Sequence, residues 1–150
     1  MIRQQTEKLV SITPPAAIVN NASYTCSAVD TLGFDYATVY LQLGATDIAL
    51  TACKLQESDD NSTWSDVTGA VFGTSNNTGG SASTLPSATD DNKFFAVEVD
   101  LRGRKRYLKP VVTVGSGSTG AFAAIWAVLS RAEAQPKTAA DRGCSQILRV

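Results

Sequence analysis

Alternation of apolar and polar residues is the feature of this sequence that most restricts its fold. Within residues 36–43, Val39, Leu41 and Leu43 share one phase, and the residues between them belong to the other. Residues 94–101 repeat the same period of two. Successive side chains of a β-strand point to opposite faces, so this period is typical of a strand with one buried face. Both segments are therefore predicted to be strands that cover a core.

Further strand-like segments are separated by turns rich in Asn, Gly, Ser, Thr and Asp. They are residues 16–29, which can supply one or two strands, and residues 48–57, 64–67, 106–114 and 121–130. The segment 121–130 is apolar in both phases, which favours a central position in its sheet. No segment shows a convincing helical period. The sequence therefore predicts an all-β fold, a single β-sandwich or jelly roll of about seven or eight antiparallel strands.

One supersecondary unit is predicted from the spacing of these strands. Residues 102–105 make a short connection between the strands 94–101 and 106–114. Two strands joined so closely are typical of a β-hairpin. We therefore expect residues 94–114 to form a hairpin near the centre of the sandwich.

The remaining segments lie outside the strand pattern. Residues 69–92 are dominated by small polar residues and contain little apolar surface to offset their ordering entropy, so a long exposed loop is expected. Residues 1–13 are predicted to form an N-terminal arm and residues 132–150 a C-terminal arm, which leaves residues 14–131 as the sandwich domain. The C-terminal arm ends in Ile-Leu-Arg-Val, and an apolar end of this kind favours docking on a neighbour over a free tail.

The composition argues against the common enzyme classes. The 150 residues contain no histidine, the side chain that most often serves as a base or metal ligand near neutral pH. There is no Gly-x-Ser-x-Gly motif, and the glycine-rich segment 115–120 lacks the lysine of a phosphate-binding loop. Cys26, Cys53 and Cys144 are too widely spaced for a metal-type pair, and the first two are expected in the core. The protein is therefore expected not to be an enzyme and to hold no cofactor or metal.

The charge of the chain also excludes some partners. Thirteen Lys and Arg against fourteen Asp and Glu leave a net charge of −1, which provides no basic face for nucleic acid. No apolar run reaches the roughly 18 residues of a membrane span, and the first residues lack the hydrophobic core of a signal peptide. Since a low net charge favours association, we expect the chain to self-associate, most simply as a homotrimer.

Two polar clusters invite a functional interpretation. The acidic segment 59–66 suggests calcium, but its spacing fails the EF-hand template, and a turn between strands is favoured. The basic segment 102–106 suggests phosphate or an acidic partner surface. Its alternative, a solvated turn neutralised by Glu98 and Asp100, is favoured. If the cluster binds, an acidic protein surface is the expected ligand.

Two further sets of residues are candidates for binding. The candidate partner contacts are Arg102, Arg104, Lys105, Arg106, Ile147, Leu148, Arg149 and Val150. The aromatic residues that a sugar-stacking platform would use are Tyr24, Tyr36, Tyr40, Trp64 and Tyr107. Aromatic residues of a sandwich are more often found in the core or in an interface, and the sequence does not distinguish these uses.

Two sequence segments resemble those of small virion proteins of tailed bacteriophages. They are residues 54–67, KLQESDDNSTWSDV, and residues 95–115, FAVEVDLRGRKRYLKPVVTVG, the second followed by an alanine-rich strand within residues 120–132. Such proteins carry a Leu-Gln-x-Ser-x-Asp…Trp strand and turn, followed by an Arg-Tyr-Leu-Arg/Lys strand. The resemblance covers about residues 35–132 and includes no catalytic signature.

The resemblance implies a capsid cement or decoration protein. Such a protein is a jelly roll or sandwich that sits as trimers on the lattice of the major capsid protein. It would be made in the host cytoplasm and end on the capsid surface of the virion. The alternatives are a phage tail, neck or head-fibre base protein and, from another class, a carbohydrate-binding β-sandwich module.

Overall fold

Two four-stranded antiparallel sheets enclose one hydrophobic core. The structure, a computed structural model, describes residues 6–134 and 138–147. Its strands are β1 (Lys8–Thr13), β2 (Val29–Asp30), β3 (Phe34–Thr46), β4 (Leu50–Ser58), β5 (Ser65–Val71), β6 (Phe94–Asp100), β7 (Tyr107–Val114) and β8 (Ala121–Ala132), followed by the 3₁₀ turn Ala140–Arg142. No helix within these residues is long and apolar enough to cross a membrane.

The strand order is that of a jelly roll. The first sheet has the order β1-β8-β3-β6 and the second sheet the order β2-β7-β4-β5. Every connection except β4–β5 passes from one sheet to the other, which wraps the chain as two Greek keys. The prediction of an all-β sandwich is confirmed, and the structure selects the jelly roll of the two architectures.

Burial follows the alternation in the sequence. Val39, Leu41 and Leu43 of β3 are all buried, and the neighbouring odd residues of β8 are buried beside them. Segment β8 lies between β1 and β3, so its predicted central position is confirmed. From the second sheet, Leu55 and Leu108 complete the same core.

The predicted hairpin 94–114 is wrong. Strand β6 pairs with β3 at the edge of the first sheet, whereas β7 pairs with β2 and β4 in the second sheet. Residues 101–106 therefore turn a corner between the sheets. Alternation determines which side chains face the core, but it does not determine which strand is the hydrogen-bonding partner. A connection of this length spans the roughly 10 Å between packed sheets as readily as it reverses within one.

The predicted N-terminal arm is wrong for residues 8–13. These residues form β1, which pairs with β8, and Ile12 and Thr13 are buried. The short strand escaped detection because its apolar residues, Leu9, Val10 and Ile12, do not alternate with polar residues along its length. Residues 1–5 lie outside the described residues.

The predicted C-terminal arm begins within a strand, because β8 continues to Ala132. The described part of the arm returns to β1 of the same chain. The Arg142 Nε donates a hydrogen bond to the Glu7 carbonyl oxygen at 3.4 Å. Gly143 lies so close to Leu9 that a Cβ at position 143 would be 1.7 Å from the Leu9 carbonyl oxygen. This segment therefore packs along the outer edge of β1.

Three strand boundaries also differ from expectation. The segment predicted as a strand over residues 36–43 continues to Thr46 through an irregularity after Leu43, so the break before β4 falls at residues 47–49. The loop predicted for residues 69–92 begins after Val71, the last residue of β5. Residues 16–28 form only isolated bridges before β2, where one or two strands were expected.

Candidate interaction surfaces

The basic cluster 102–106 occupies the corner between β6 and β7, and each cation has a partner in the same chain. Arg102 and Arg106 form ion pairs with carboxylates, Arg106 through two hydrogen bonds of 2.9 and 2.7 Å. Arg104 Nη1 lies 3.7 Å from a glutamate oxygen, and Lys105 Nζ is 3.1 Å from a serine Oγ. The pairs are Arg102 with Asp100, Arg104 with Glu57, and Arg106 with Asp30. The serine near Lys105 is Ser65.

This pairing neutralises the cluster locally. Asp100 pairs with Arg102 as expected, but Glu98, the other expected partner, has no side-chain ion pair or hydrogen bond within the described residues. Arg102 also lies over the Tyr36 ring, 5.6 Å from its centroid. Carboxylates therefore pair three of the four cations, whereas Lys105 contacts a hydroxyl and the Arg102 side chain remains 67% exposed.

Acid titration tests these ion pairs. The hydrogen bond from Arg102 lowers the pKa of Asp100 to about 2, and that from Lys93 lowers the pKa of Asp90 to about 2. A carboxyl whose pKa is lowered on folding stabilises the fold above its unfolded pKa of about 3.9 and loses that contribution as the pH falls through its folded pKa. We expect NMR titration midpoints near pH 2 for both carboxyls. Midpoints near pH 4 would show that the contacts do not form in solution.

The C-terminal candidates are only partly placed. Ile147 is half-buried, and the segment before it packs on β1. The other three, Leu148, Arg149 and Val150, lie outside the described residues. Of the C-terminal set, the structure therefore places only Ile147.

Part of the outer side of the first sheet is an aromatic surface that the sequence reasoning missed, with Glu98 of β6 at its border. Trp126 of β8 stacks on Tyr40 of β3 at 5.6 Å between ring centroids, and Phe94 of β6 meets the same indole edge-on at 6.1 Å. Phe94 is 60% exposed and Leu9 of β1 is 43% exposed. The surface, called here the aromatic face, consists of Leu9, Tyr40, Phe94, Ala96, Trp126 and Val128.

The outer side of the second sheet has the opposite character. Asp66 accepts hydrogen bonds of 2.8 Å from Lys54 and from Gln56. Lys109 Nζ covers the Trp64 ring at 4.1 Å from its centroid. This side is therefore polar and internally paired, and the two faces of the sandwich differ in the partners that they suit.

The predicted sugar-stacking aromatics are dispersed over the molecule. Tyr24 is buried, and its hydroxyl donates to the Ala121 carbonyl oxygen, while burial raises its pKa to about 12. Arginine or lysine side chains cover the rings of Tyr36, Trp64 and Tyr107. The remaining member, Tyr40, belongs to the aromatic face. No shared stacking platform results within the described part of the chain.

The acidic turn between β4 and β5 is built around one carboxylate. Asp60 accepts hydrogen bonds from the backbone N–H groups of Thr63 and Ser62 at 2.7 and 2.9 Å, and from the Ser58 hydroxyl. These bonds hold the pKa of Asp60 well below its usual range. The described residues contain no group of three or more His, Cys, Asp or Glu arranged for a metal ion. The arrangement fits the turn interpretation of this segment.

The three cysteines are free thiols. Cys53 is buried, as expected, and burial raises its pKa to about 12. Cys26 packs partly against the core and accepts a hydrogen bond from the Thr13 hydroxyl at 3.5 Å. Burial thus suppresses the reactivity of both thiols.

The loop between β5 and β6 borders an open groove. A bridge between Asn76 and Ala82 organises the loop, and the carboxylate of Asp90 accepts from Ser87 N–H at 2.7 Å near its end. The groove, called here the edge groove, has a volume of about 450 Å³ and lies between β5, this loop and β6. Its lining includes Ala70, Val71, Phe72, Asn76, Val97 and Glu98.

Comparisons with known proteins show a similarity to solved structures. No protein-family model matches the chain, and no curated protein matches it significantly. A solved structure that is similar is the crystal structure of SPBc2 prophage-derived protein YomS, with 15% sequence identity and a TM-score of 0.48. The match covers 83% of this chain and 95% of that chain.

Proposed function

We propose that the protein is a structural virion protein of a tailed bacteriophage, a capsid cement or decoration protein. In this proposal it binds the outside of the head as a homotrimer and bridges neighbouring major capsid subunits. The observation that carries the proposal is the aromatic face, an apolar outer sheet surface around Tyr40, Phe94 and Trp126 that Glu98 borders. The sequence resemblance supplies the class of partner. No catalytic role, nucleic acid or membrane is included.

The chemistry of the aromatic face suits a protein partner. Aromatic side chains are enriched in the buried centres of protein interfaces, and Trp and Tyr are the most frequent energetic anchors there. The Trp126 ring touches two other aromatic rings, which hold it in one orientation before any partner arrives. A preordered anchor loses less side-chain entropy on binding than a mobile one.

The size of the aromatic face favours multivalent attachment. Four strands at about 4.8 Å spacing and seven residues at about 3.4 Å rise give a surface of roughly 20 by 24 Å. This area lies below the roughly 800 Å² per partner of a standard protein interface. A single copy is therefore expected to bind weakly, and several linked copies that engage a repeating lattice gain avidity.

Multivalent binding of this kind would stabilise the capsid shell. Packed DNA presses outward on the head, and contacts between shell subunits alone can be marginal. A rigid sandwich that spans a junction buries additional surface on both sides of it, so opening the junction requires breaking these contacts as well. The same argument would serve a tail, neck or fibre-base protein, and binding to isolated heads distinguishes the two.

A pair of matched substitutions tests the proposal. Phe94 and Leu32 are both exposed, at 60% and 67%, but only Phe94 belongs to the aromatic face. We expect Phe94→Glu to weaken binding to empty heads of the encoding phage at least about tenfold, equivalent to about 1.4 kcal/mol, because a carboxylate would be buried in an apolar contact. Leu32→Glu should bind as the parent chain does. Co-sedimentation with empty heads measures both.

Two results would count against the proposal. If the parent chain fails to co-sediment with heads but binds isolated tails, the head location is wrong. If both substitutions weaken head binding equally, the aromatic face is not the contact surface.

A further inference from the structure

Strand β6 is an open sheet edge. It pairs with β3 on one side, and on its other side no described strand is hydrogen-bonded to it. Two backbone hydrogen bonds flank the strand, from Leu43 N–H to the Lys93 carbonyl and from Leu101 N–H to the Asp35 carbonyl. They show that the backbone N–H and C=O groups of its odd-numbered residues point towards β3. In an antiparallel ladder the N–H and C=O groups of one residue point to the same side, so those of the even-numbered residues face outward. They are Phe94, Ala96, Glu98 and Asp100.

The other sheet edges are less available. The C-terminal segment packs along β1, the opposite edge of the first sheet. In the second sheet, β2 has only two residues, and the register of β5 is interrupted. Native proteins usually block an open edge with lysine, proline or a bulge. The seven residues of β6 contain neither lysine nor proline, and their pairing with β3 is continuous.

The edge groove adds a pocket for side chains beside this open edge. The groove runs beside β6 and presents Val71, Phe72 and Val97 as apolar lining. Glu98 lies at its border and makes no side-chain ion pair or hydrogen bond within the described residues. An added strand could hydrogen-bond to the outward backbone groups of β6. Apolar residues in one of its phases would fill the groove, and a cation in the other phase would pair with the Glu98 carboxylate.

We propose that residues 145–150 of a second copy of this chain extend the first sheet by pairing with β6. Their sequence is Ser-Gln-Ile-Leu-Arg-Val. If the bound segment is extended, Gln146, Leu148 and Val150 would share the phase that faces the edge groove, while Ile147 and Arg149 would share the phase of Glu98, with Arg149 placed to pair with that carboxylate. Ile147, half-buried in its own chain, would then move to the second copy. The segment therefore carries the alternating apolar residues that fit the groove and the positive charge that complements Glu98.

The position of the C-terminal segment makes a second copy the donor. Residues 142 and 143 lie on β1, which is separated from β6 by three strand spacings, about 14 Å. Each copy thus offers its C-terminal residues at one edge and an acceptor strand at the other. A contact between two different edges is heterologous, and such contacts give a closed ring when the rotation between copies closes and an open filament when it does not. The inference rests on the self-association in the proposed function and is independent of head binding.

Reciprocal charge reversal tests the exchange. We expect Arg149→Glu and Glu98→Arg each to raise the dissociation constant of the oligomer at least about tenfold, since each places like charges in contact. The double variant restores opposite charges and should recover most of the parent affinity. Asp59→Lys is the charge-matched control, because Asp59 lies on an exposed turn and has no side-chain partner among the described residues. Sedimentation equilibrium at micromolar concentration measures all four.

Hydrogen exchange gives an independent reading of the same contact. The amides of Ala96 and Glu98 should be protected in the parent oligomer and exchange rapidly in Arg149→Glu. An oligomer that both reversals leave intact, or a double variant that stays dissociated, overturns the exchange while leaving self-association in place. A parent chain that sediments as a monomer, with Ala96 and Glu98 unprotected, overturns both.

Discussion

Gly120→Val is expected to destabilise the fold by about 3 to 5 kcal/mol, a large part of the 5 to 15 kcal/mol typical of a domain. Gly120 has φ = 106°, a conformation open to glycine but strained for a β-branched residue. A Cβ there would lie 2.3 Å from the Val19 carbonyl oxygen. That oxygen accepts the Ala121 N–H at 2.8 Å, while Val19 N–H donates back at 2.9 Å. Relief of the clash breaks both bonds, each worth about 1 kcal/mol.

The surroundings of Gly120 leave little room for relaxation. Asp47 accepts hydrogen bonds from the N–H groups of Thr119 and Gly120 at 2.7 and 2.8 Å, and these bonds lower the pKa of its carboxyl. The Asn20 side chain holds Gly117 through its N–H and its carbonyl, both at 2.9 Å. The connection into β8 is therefore fixed from two sides, and the chain cannot simply shift away from Val19.

A second glycine separates backbone strain from lack of space. Gly103 also has a positive φ, 78°, but no atom lies within 4 Å of the position that its Cβ would occupy. Gly103→Val should therefore cost only the strain of the conformation, about 1 to 3 kcal/mol. Urea denaturation of both variants measures the difference. Equal losses would show that the close approach of Val19 to Gly120 contributes nothing.

Local patterns in the sequence predicted the strands better than their partners. The buried phase of β3 could be read directly, because Val39, Leu41 and Leu43 alternate without interruption. The pairing of β6 and β7 could not, since a short connection and two amphipathic strands fit a hairpin and a sheet-to-sheet corner equally. Strand β1 was missed for a related reason. Its six residues gain their stability from pairing with β8, which local alternation does not report.

The candidate surfaces were harder to predict than the fold. The basic cluster attracted attention because its charges are adjacent in sequence, yet Glu57 and Asp30, distant in sequence, neutralise two of them. Conversely, the aromatic face collects Tyr40, Phe94 and Trp126 from three strands. A usable signal existed, because each aromatic residue occupies the phase opposite to the buried one. Recognising them as one surface requires the register of β3 with β6 and β8.

Two adjacent residues of β8 should separate folding from assembly. Leu129 is fully buried in the core, whereas Val128 points outward onto the aromatic face. Leu129→Ala removes buried methyl and methylene groups and leaves a cavity, so we expect the free energy of unfolding to fall by about 2 to 5 kcal/mol. Val128→Ala removes two methyl groups from a half-buried position on the outer side of the sheet, and should lower the free energy of unfolding by less than about 1 kcal/mol.

The order of the two variants should reverse when binding is measured. At a temperature where both remain folded, Leu129→Ala leaves the outer surface unchanged and should co-sediment with empty heads as the parent does. Val128→Ala removes apolar area beside Leu9, its pairing partner on β1, and should weaken head binding several-fold. Urea denaturation and co-sedimentation give the two readings. If Val128→Ala destabilises the fold as much as Leu129→Ala, the outer side of the first sheet is covered within the single chain, and it is not available to the shell.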